Sequence, residues 1–381
     1  MIDFDHNATT RLDQRVKEAM LAFLSSPRGN PSSIHALGRA ARDALERARE
    51  EVGALIGASS GVVFTSGGTE ADFLGVLGAA RAARAAGRPP RVVSSPLEHP
   101  AVRGALETLS DEGFEVMLLP VDEKGRVEQG DLAEALRGGA ALVTLALSNH
   151  ELGNVYDIAA LAELAHAHGA LFHSDGVQAA GRMSIDVHAL GVDLLSLSGH
   201  KMHGPKGIGA LWVKPGVEIF PLWKGGHQEK GLRPGTENVV GIVGLGEACR
   251  LARTEGISCA ESVSALRDRL EQGLLAIPGA RVNGDRERRV PGTTNMALAS
   301  APGELVVIAL DLAGVAASTG AACASGSMEP SPVILALGQP PDRAAEAVRF
   351  SLGRDNTQDE VDEVISLLPV IVERIRAASF G

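Results

Sequence analysis

The sequence predicts an α/β protein: a large domain with a mostly parallel, mixed sheet between helices, joined to a smaller α+β domain. Three observations predict it. Short apolar runs alternate with longer amphipathic segments between about residues 60 and 215. Several of these runs are apolar almost without interruption, as strands covered on both faces are. After Glu255-Gly256 the texture changes to shorter strands and helices. Strand–helix alternation implies βαβ units and parallel pairing.

Taken in order, residues 12–24 read as a helix with Leu12, Val16, Met20, Phe23 and Leu24 on one face. Residues 33–56 form a second, longer helical segment, and Arg28-Gly29-Asn30-Pro31-Ser32-Ser33 between them is loop chemistry. Strands are expected at 62–65, 91–95, 115–119, 141–147, 170–173, 193–197 and 209–213. Helices are expected between most of them, for example at 69–86, 101–112 and 158–168. The last two strands follow each other without a long helix, which predicts a mixed sheet. A helix near 258–276 opens the second domain, and an amphipathic helix near 359–377 closes it. The expected boundaries are 13–256 for the large domain, and 257–381 with residues 1–12 for the small one.

The chain has 381 residues, enough to bury a core without disulfides or metal staples. Its formal net charge of −11 argues against a general nucleic-acid binder, which needs clustered Lys and Arg. Three cysteines, Cys249, Cys259 and Cys323, make no disulfide framework and fit a reducing compartment. The opening Met1-Ile2-Asp3-Phe4-Asp5 lacks a basic region followed by an apolar run, so no signal peptide is expected. No stretch approaches the ~20 apolar residues of a membrane span. A cytoplasmic location, with no membrane and no direct nucleic-acid contact, is the expectation.

Ser66-Gly67-Gly68-Thr69-Glu70 follows a strand and opens a helix. Glycines allow close backbone approach, the helix start offers free N–H groups, and Thr69 adds a hydroxyl, which together suit a phosphate. Taken alone, the segment is better read as a tight turn with Thr69 as an ordinary N-cap. Asp175, in Leu171-Phe172-His173-Ser174-Asp175-Gly176-Val177-Gln178, stands at the carboxyl end of an apolar strand, where ligands of open α/β sheets sit. A buried carboxylate needs a positive partner, and a protonated pyridine nitrogen is one. Taken alone, an Asp there is better read as capping a turn or helix. In Ser198-Gly199-His200-Lys201-Met202-His203-Gly204-Pro205-Lys206-Gly207, a strand runs into a Gly-rich loop bearing Ser, His and Lys. A Lys beside a phosphate site and a pyridinium acid is what a Schiff base to pyridoxal phosphate requires.

His99 lies just beyond the strand at 91–95, where an imidazole can stack on a planar cofactor and move protons, or sit as a satisfied loop histidine. His166 and His168 are two apart and share no helix face, and His-Glu-x-x-His is absent, so no metal is expected. Cys323 sits in Ser318-Thr319-Gly320-Ala321-Ala322-Cys323-Ala324-Ser325-Gly326-Ser327, a run of small residues unlike an apolar core segment. Reactive cysteines are accessible where structural ones are buried. Cys249 reads as a helical packing residue, and Cys259 begins a helix.

Together these segments resemble the cysteine desulfurase family of class V aminotransferase-like enzymes, almost from end to end. The resemblance runs through Asp5-His6-Asn7-Ala8-Thr9-Thr10, Gly29-Asn30-Pro31-Ser32-Ser33-x-His35, Phe64-Thr65-Ser66-Gly67-Gly68-Thr69-Glu70, Glu98-His99 and Asn149-His150-Glu151-Leu152-Gly153. It continues through Asp175-x-x-Gln178, Ser198-Gly199-His200-Lys201, Gly225-Gly226-x-Gln228-Glu229, Arg233-Pro234-Gly235-Thr236-Glu237-Asn238, the Cys323 loop and Arg349-Phe350-Ser351-Leu352-Gly353-Arg354. It implies a pyridoxal-phosphate enzyme of fold type I that converts L-cysteine to L-alanine and leaves a persulfide on Cys323.

By that resemblance Lys201 forms the Schiff base, and Asp175 pairs with the pyridinium. Gln178 and Asn149 bond the phenolic oxygen, and His99 stacks on the ring. Gly68, Thr69, Ser198 and His200 hold the phosphate, joined by Thr236 from the second subunit of a homodimer. Arg349 clamps the substrate carboxylate, near Asn149. Lys201 takes the α-proton, and His99 serves as a further acid or base. Phe73 and His150 stand where the family usually has Asn, and Gly176 where it usually has Ala, which bears on rate and substrate preference. The long stretch after Cys323, ending in Glu329-Pro330-Ser331-Pro332, resembles the long-loop branch, whose cysteine delivers sulfur to partner proteins such as an iron–sulfur scaffold or a tRNA-thiolation relay. A selenocysteine lyase, a related cysteine lyase and a non-catalytic homologue are the alternatives.

Overall fold

The computed structural model describes residues 1–26, 29–320 and 330–379. In chain order the elements begin β1 (Ile2–Asp3), α1 (Gln14–Leu24), α2 (Ala36–Leu55), β2 (Val62–Thr65), α3 (Gly68–Ala85), β3 (Arg91–Ser94), α4 (Pro100–Asp111), β4 (Glu115–Leu118), α5 (Gln129–Ala135), β5 (Leu142–Thr144), α6 (Ile158–Ala167), β6 (Leu171–Asp175), α7 (Val187–Leu190), β7 (Leu194–Ser198) and β8 (Gly209–Val213). They continue α8 (Val239–Leu251), α9 (Ala260–Leu274), β9 (Ala280–Asn283), β10 (Thr293–Leu298), α10 (Gly303–Leu312), β11 (Val315–Ala316), α11 (Pro332–Ala336), α12 (Pro341–Ala344), β12 (Ala347–Ser351) and α13 (Gln358–Ser379).

Seven strands form one sheet in the order β2-β8-β7-β6-β5-β3-β4. From β7 to β4 every pairing is parallel, while β8 runs antiparallel to both β7 and β2. The mixed edge follows from the short link after Ser198: Gly199–Lys201 makes a single 3-10 turn, too little chain for a crossover helix. Both faces are covered, so β5, β7 and β8 are buried at every residue. Chemistry gathers at the carboxyl ends of β5, β6 and β7, as it does in open α/β sheets.

A second sheet, β12-β10-β9, is antiparallel. Its apolar cluster joins Leu270, Met296, Val348, Phe350, Val361 and Leu368 with Ile2 and Phe4 from the start of the chain. β1 pairs in parallel with β11, and the bridge Asp5–Ser351 extends the link to β12.

Two expectations differ from the structure. Residues 145–147 lie past the end of β5: Leu145 N–H donates to His173 O and Leu147 N–H to Asp175 O, so pairing there persists on the β6 side. The face expected on residues 12–24 is mostly not buried. Asp13 caps α1, leaving Leu12 outside the helix, and of α1 only Val16 is buried while Leu21 and Leu24 are exposed. Cys249 is fully buried in α8, and Cys259 caps α9 half-buried. Among the described residues no helix is long and apolar enough to cross a membrane.

Candidate active site

One cleft of about 160 Å³ is lined by Gly68, Thr69, His99, Asp175, Gln178, Ser198, His200, Lys201 and Arg349, together with Asn7, Ser148, His150 and Asp72. The loop Ser66-Gly67-Gly68 brings the N-terminus of α3 to one end. Gly67 and Gly68 leave room there, since a Cβ on Gly67 would meet nothing and one on Gly68 would meet Val177 at 3.0 Å. Ser198 at the end of β7 is buried with its Oγ unpartnered. His200 follows, its Nδ1 3.1 Å from Thr9 Oγ1; burial and the neighbouring Lys201 depress it to about 4. These groups form a cradle for an anion at a helix N-terminus.

Lys201 ends the turn after β7. Its Nζ donates to the carbonyls of Asn7 and Ala8, the latter at 2.8 Å. Gln178 Nε2 donates to the same Asn7 carbonyl at 3.0 Å, and its Oε1 is buried without a partner. Asp175 closes β6, buried, with Val177 N–H donating to it at 2.9 Å. Burial raises its carboxyl above the ordinary range. Among the described residues no cation makes an ion pair with it, and the positive groups that act on it, His150 and Lys201, offset its burial only in part.

Around Asp175 lie two buried acids to which the sequence reading gave no role. Asp72 is raised well above the usual range, by burial first and then by Asp175, and lies 3.7 Å from His173 Nε2. His173, depressed by burial to about 3, is neutral and held between Thr144 Oγ1 at 2.8 Å and Ser196 Oγ at 2.9 Å. Glu98 is pushed by burial to about 8, with Ala146 N–H donating to it. The spacing of Asp72, three residues after Thr69 on α3, was a readable signal, because i and i+3 share a helix face.

Arg349 is buried in β12. Its guanidinium donates to His150 O at 3.0 Å and to Asp5 Oδ1 at 2.7 Å, and its Nε–H has no partner. His99 caps α4, its Nδ1 accepting Ala101 N–H at 3.1 Å. Burial first, then His150, Lys201 and other cations, depress it to about 3.

Two expected site residues are not brought to this cleft. Asn149 is buried, but its Oδ1 accepts Glu151 N–H and Leu152 N–H at 2.9 and 2.8 Å, and its Nδ2 donates to Leu97 O at 2.8 Å. The side chain braces its own turn, and the neighbouring His150 lines the cleft instead. Thr236 is exposed, in the loop before α8. Cys323 lies outside the described residues. The flanking residues are seen: Ser318 is backbone-paired with Arg349, and Ser331 Oγ donates to Glu151 Oε2 at 2.6 Å. The departures Phe73 and Gly176 take apolar places: Phe73 packs half-buried beside Gly104, and a Cβ on Gly176 would press on Leu195 at 2.9 Å.

The family model for aminotransferase class-V matches residues 2–364. A cysteine desulfurase of Cereibacter sphaeroides is 49% identical, over 99% of this chain and 97% of that one. A solved NifS-like protein superposes with a TM-score of 0.90 at 34% identity, covering 98% of this chain and 99% of its own. A structure of SspA in complex with cysteine gives a TM-score of 0.82 at 31% identity, covering 94% and 100%. An acidic strand end, an anion cradle and a lysine in one cleft agree with these likenesses, and the chain belongs to the class-V aminotransferase family and, within it, to the cysteine desulfurases.

Proposed function

We propose that this chain takes sulfur from L-cysteine and releases L-alanine, with pyridoxal phosphate held at Lys201 and Cys323 as the thiol that receives the sulfur. The observation that carries the cofactor reading is Asp175: a buried carboxylate with no ion-pair partner among the described residues, in one cleft with Lys201 and an anion cradle. The ring nitrogen of the cofactor, when protonated, supplies the missing charge. The orphaned Ser198 Oγ, a hydroxyl donor in the anion cradle, would fit the phosphate of the same group. When bound, pyridoxal phosphate supplies the electron sink for carbanion chemistry at the amino acid.

The chain's residues do the rest. Gly68, Thr69, Ser198 and His200 bind the phosphate, joined by Thr236 of a second copy in a homodimer. His99 lies against the ring. Arg349, steadied by Asp5, binds the substrate carboxylate with its remaining N–H donors. Lys201 would hold the group through its amine and would be the base for the substrate's α-proton. Asn7 and Ala8 carbonyls orient that amine. The relative bound to cysteine supports cysteine as substrate. The division into domains 13–256 and 1–12 with 257–381, a cytoplasmic location, and an acceptor such as an iron–sulfur scaffold belong to the same reading.

Borohydride reduction of the loaded protein followed by peptide mass spectrometry tests the cofactor reading, and parallel assays of alanine and sulfide after a cysteine pulse test the reaction. The expected result is a pyridoxyl adduct on Lys201, alanine formation, and a persulfide on Cys323. An adduct on another lysine, or a persulfide on Cys249 or Cys259, overturns the assignment.

A further inference from the structure

Ten residues, Cys323 among them, lie between Gly320 and Ser331. Both flanking residues meet the same carboxylate. Ser331 Oγ–H donates to Glu151 Oε2 at 2.6 Å. From the other side, a Cβ on Gly320 would stand 2.9 Å from that same Oε2 and 3.4 Å from Oε1. The φ of Gly320 lies outside the left-handed region, so it is Glu151, and not the backbone, that excludes a side chain there. Glu151 is itself buried, and its N–H donates to Asn149 Oδ1 at 2.9 Å. That bond fixes it in the turn beside His150, which lines the cleft.

The Gly320 end is also registered to Arg349. Ser318 N–H donates to Arg349 O at 3.2 Å, Arg349 N–H donates to Ser318 O at 2.6 Å, and the Arg349 guanidinium donates to the carbonyl of His150, next to Glu151. Ser318 Oγ then donates to Gly320 O at 2.9 Å. The Ser331 end is held by the chemistry of one hydroxyl. Its oxygen accepts Val333 N–H at 3.1 Å and Ile334 N–H at 3.3 Å, which caps α11, while its proton goes to Glu151. A hydroxyl accepts and donates at once; a carboxylate in its place caps but only accepts. Three residues of extended chain reach at most about 11 Å, so the placing of Gly320 bounds where a thiol at position 323 can act.

We propose that Glu151 is a positioning residue for Cys323: its carboxylate ties both ends of the segment that carries the thiol to the turn beside Arg349, and so sets the thiol's reach toward the bound amino acid. The purpose of the tie rests on the desulfurase reading; its geometry rests on Gly320, Ser331 and Glu151 alone. Glu151 acts through the chain it holds, without touching substrate.

The test uses the full-length, cofactor-loaded protein. Ser331→Asp keeps a cap on α11 but sets a second carboxylate against Glu151. Glu151→Gln, added to it, offers an amide N–H to that carboxylate and rebuilds the tie with donor and acceptor exchanged. Hydrogen exchange, read by mass spectrometry on peptides spanning residues 315–335, reports the tie, and a single pulse of L-cysteine reports persulfide on Cys323. We expect Ser331→Asp to exchange faster in those peptides and to form the persulfide at least fivefold more slowly, while its cofactor content and spectral response to L-cysteine stay as in the wild type. The double variant should recover most of both losses, and Ser331→Thr, whose hydroxyl still accepts and donates, should match the wild type. Wild-type exchange and persulfide rate in Ser331→Asp overturn the proposal. So does a loss of cofactor that accounts for the loss of rate, which marks a general structural defect. If Ser331→Asp fails to fold, Gly320→Ala presses on the same carboxylate from the other end and carries the same two expectations. A wild type that places no persulfide on Cys323 overturns the desulfurase reading itself, while the exchange data still decide whether Glu151 ties the two ends.

Discussion

Glu98 illustrates how single residues tune this protein. It is buried, receives one backbone N–H, and has a second carboxyl oxygen without a partner. Burial lifts its carboxyl from 4.5 to about 8. Between those values the folded chain binds a proton that the unfolded chain does not, so stability falls as pH rises, by at most about 1.4 kcal/mol per pH unit. Glu98→Gln removes that slope. Urea unfolding at pH 5, 6, 7 and 8 should therefore show the variant gaining on the wild type toward pH 8, and parallel curves would sink the idea. At this scale the sequence was informative about which residues meet: Asp175 at the end of β6 and Lys201 in the turn after β7 are brought into one cleft. It was uninformative at Asn149-His150. Which of two adjacent side chains faces a cleft depends on the local turn, and that turn is set by Asn149 bonding two backbone N–H groups ahead of it and by Gly153 at a φ of 79°. Spacing alone does not encode that choice.

Among the elements, β8 shows how a strand can shape an anion site without touching the anion. Its first residue, Gly209, pairs with Thr65 of β2 and Ser198 of β7, and a Cβ there would stand 2.6 Å from both Gly67 C and Leu197 O. Both neighbours are backbone and yield little. Gly209→Ala should push the turn ahead of α3 outward, at an overpacking cost of about 1–3 kcal/mol. We expect a lower melting temperature and less cofactor retained per chain after dialysis; a variant that melts and retains cofactor like wild type refutes this. The strands were legible because burial on both faces leaves continuous apolar runs, and 62–65 and 209–213 have the same bounds in sequence and structure. Helix α1 misled for the opposite reason. An apolar stripe reports that a face wants cover, without saying whether its own chain supplies it.

For the whole molecule, that stripe gains meaning beside others. Leu21, Leu24, Ile34, Leu37 and Trp223 are all exposed large apolar residues, and Thr236 is exposed away from its own cleft. A homodimer that covers such residues and lends Thr236 across the interface accounts for both. Sedimentation should return a dimer. Mixing Lys201→Ala chains with Thr236→Ala chains, each weakly active, should restore turnover through dimers that carry one intact site. A fully active monomer removes the proposal. The pairing of chain start with chain end left little trace in the sequence, since strands as short as Ile2–Asp3 and Val315–Ala316 carry almost no periodic signal.

The pairing of β1 with β11, and of Asp5 with Ser351 and Arg349, has a consequence for biosynthesis. Residues 2–8 leave the ribosome long before residues 315–351, so the segment whose Asn7 and Ala8 carbonyls orient Lys201 emerges without its sheet partners. The large sheet can assemble during translation, with strands and crossover helices arriving in turn. The cleft cannot be completed until the last fifth of the polypeptide has emerged. Nascent chains stalled before residue 315 should therefore fail to capture pyridoxal phosphate, however well their seven strands have folded.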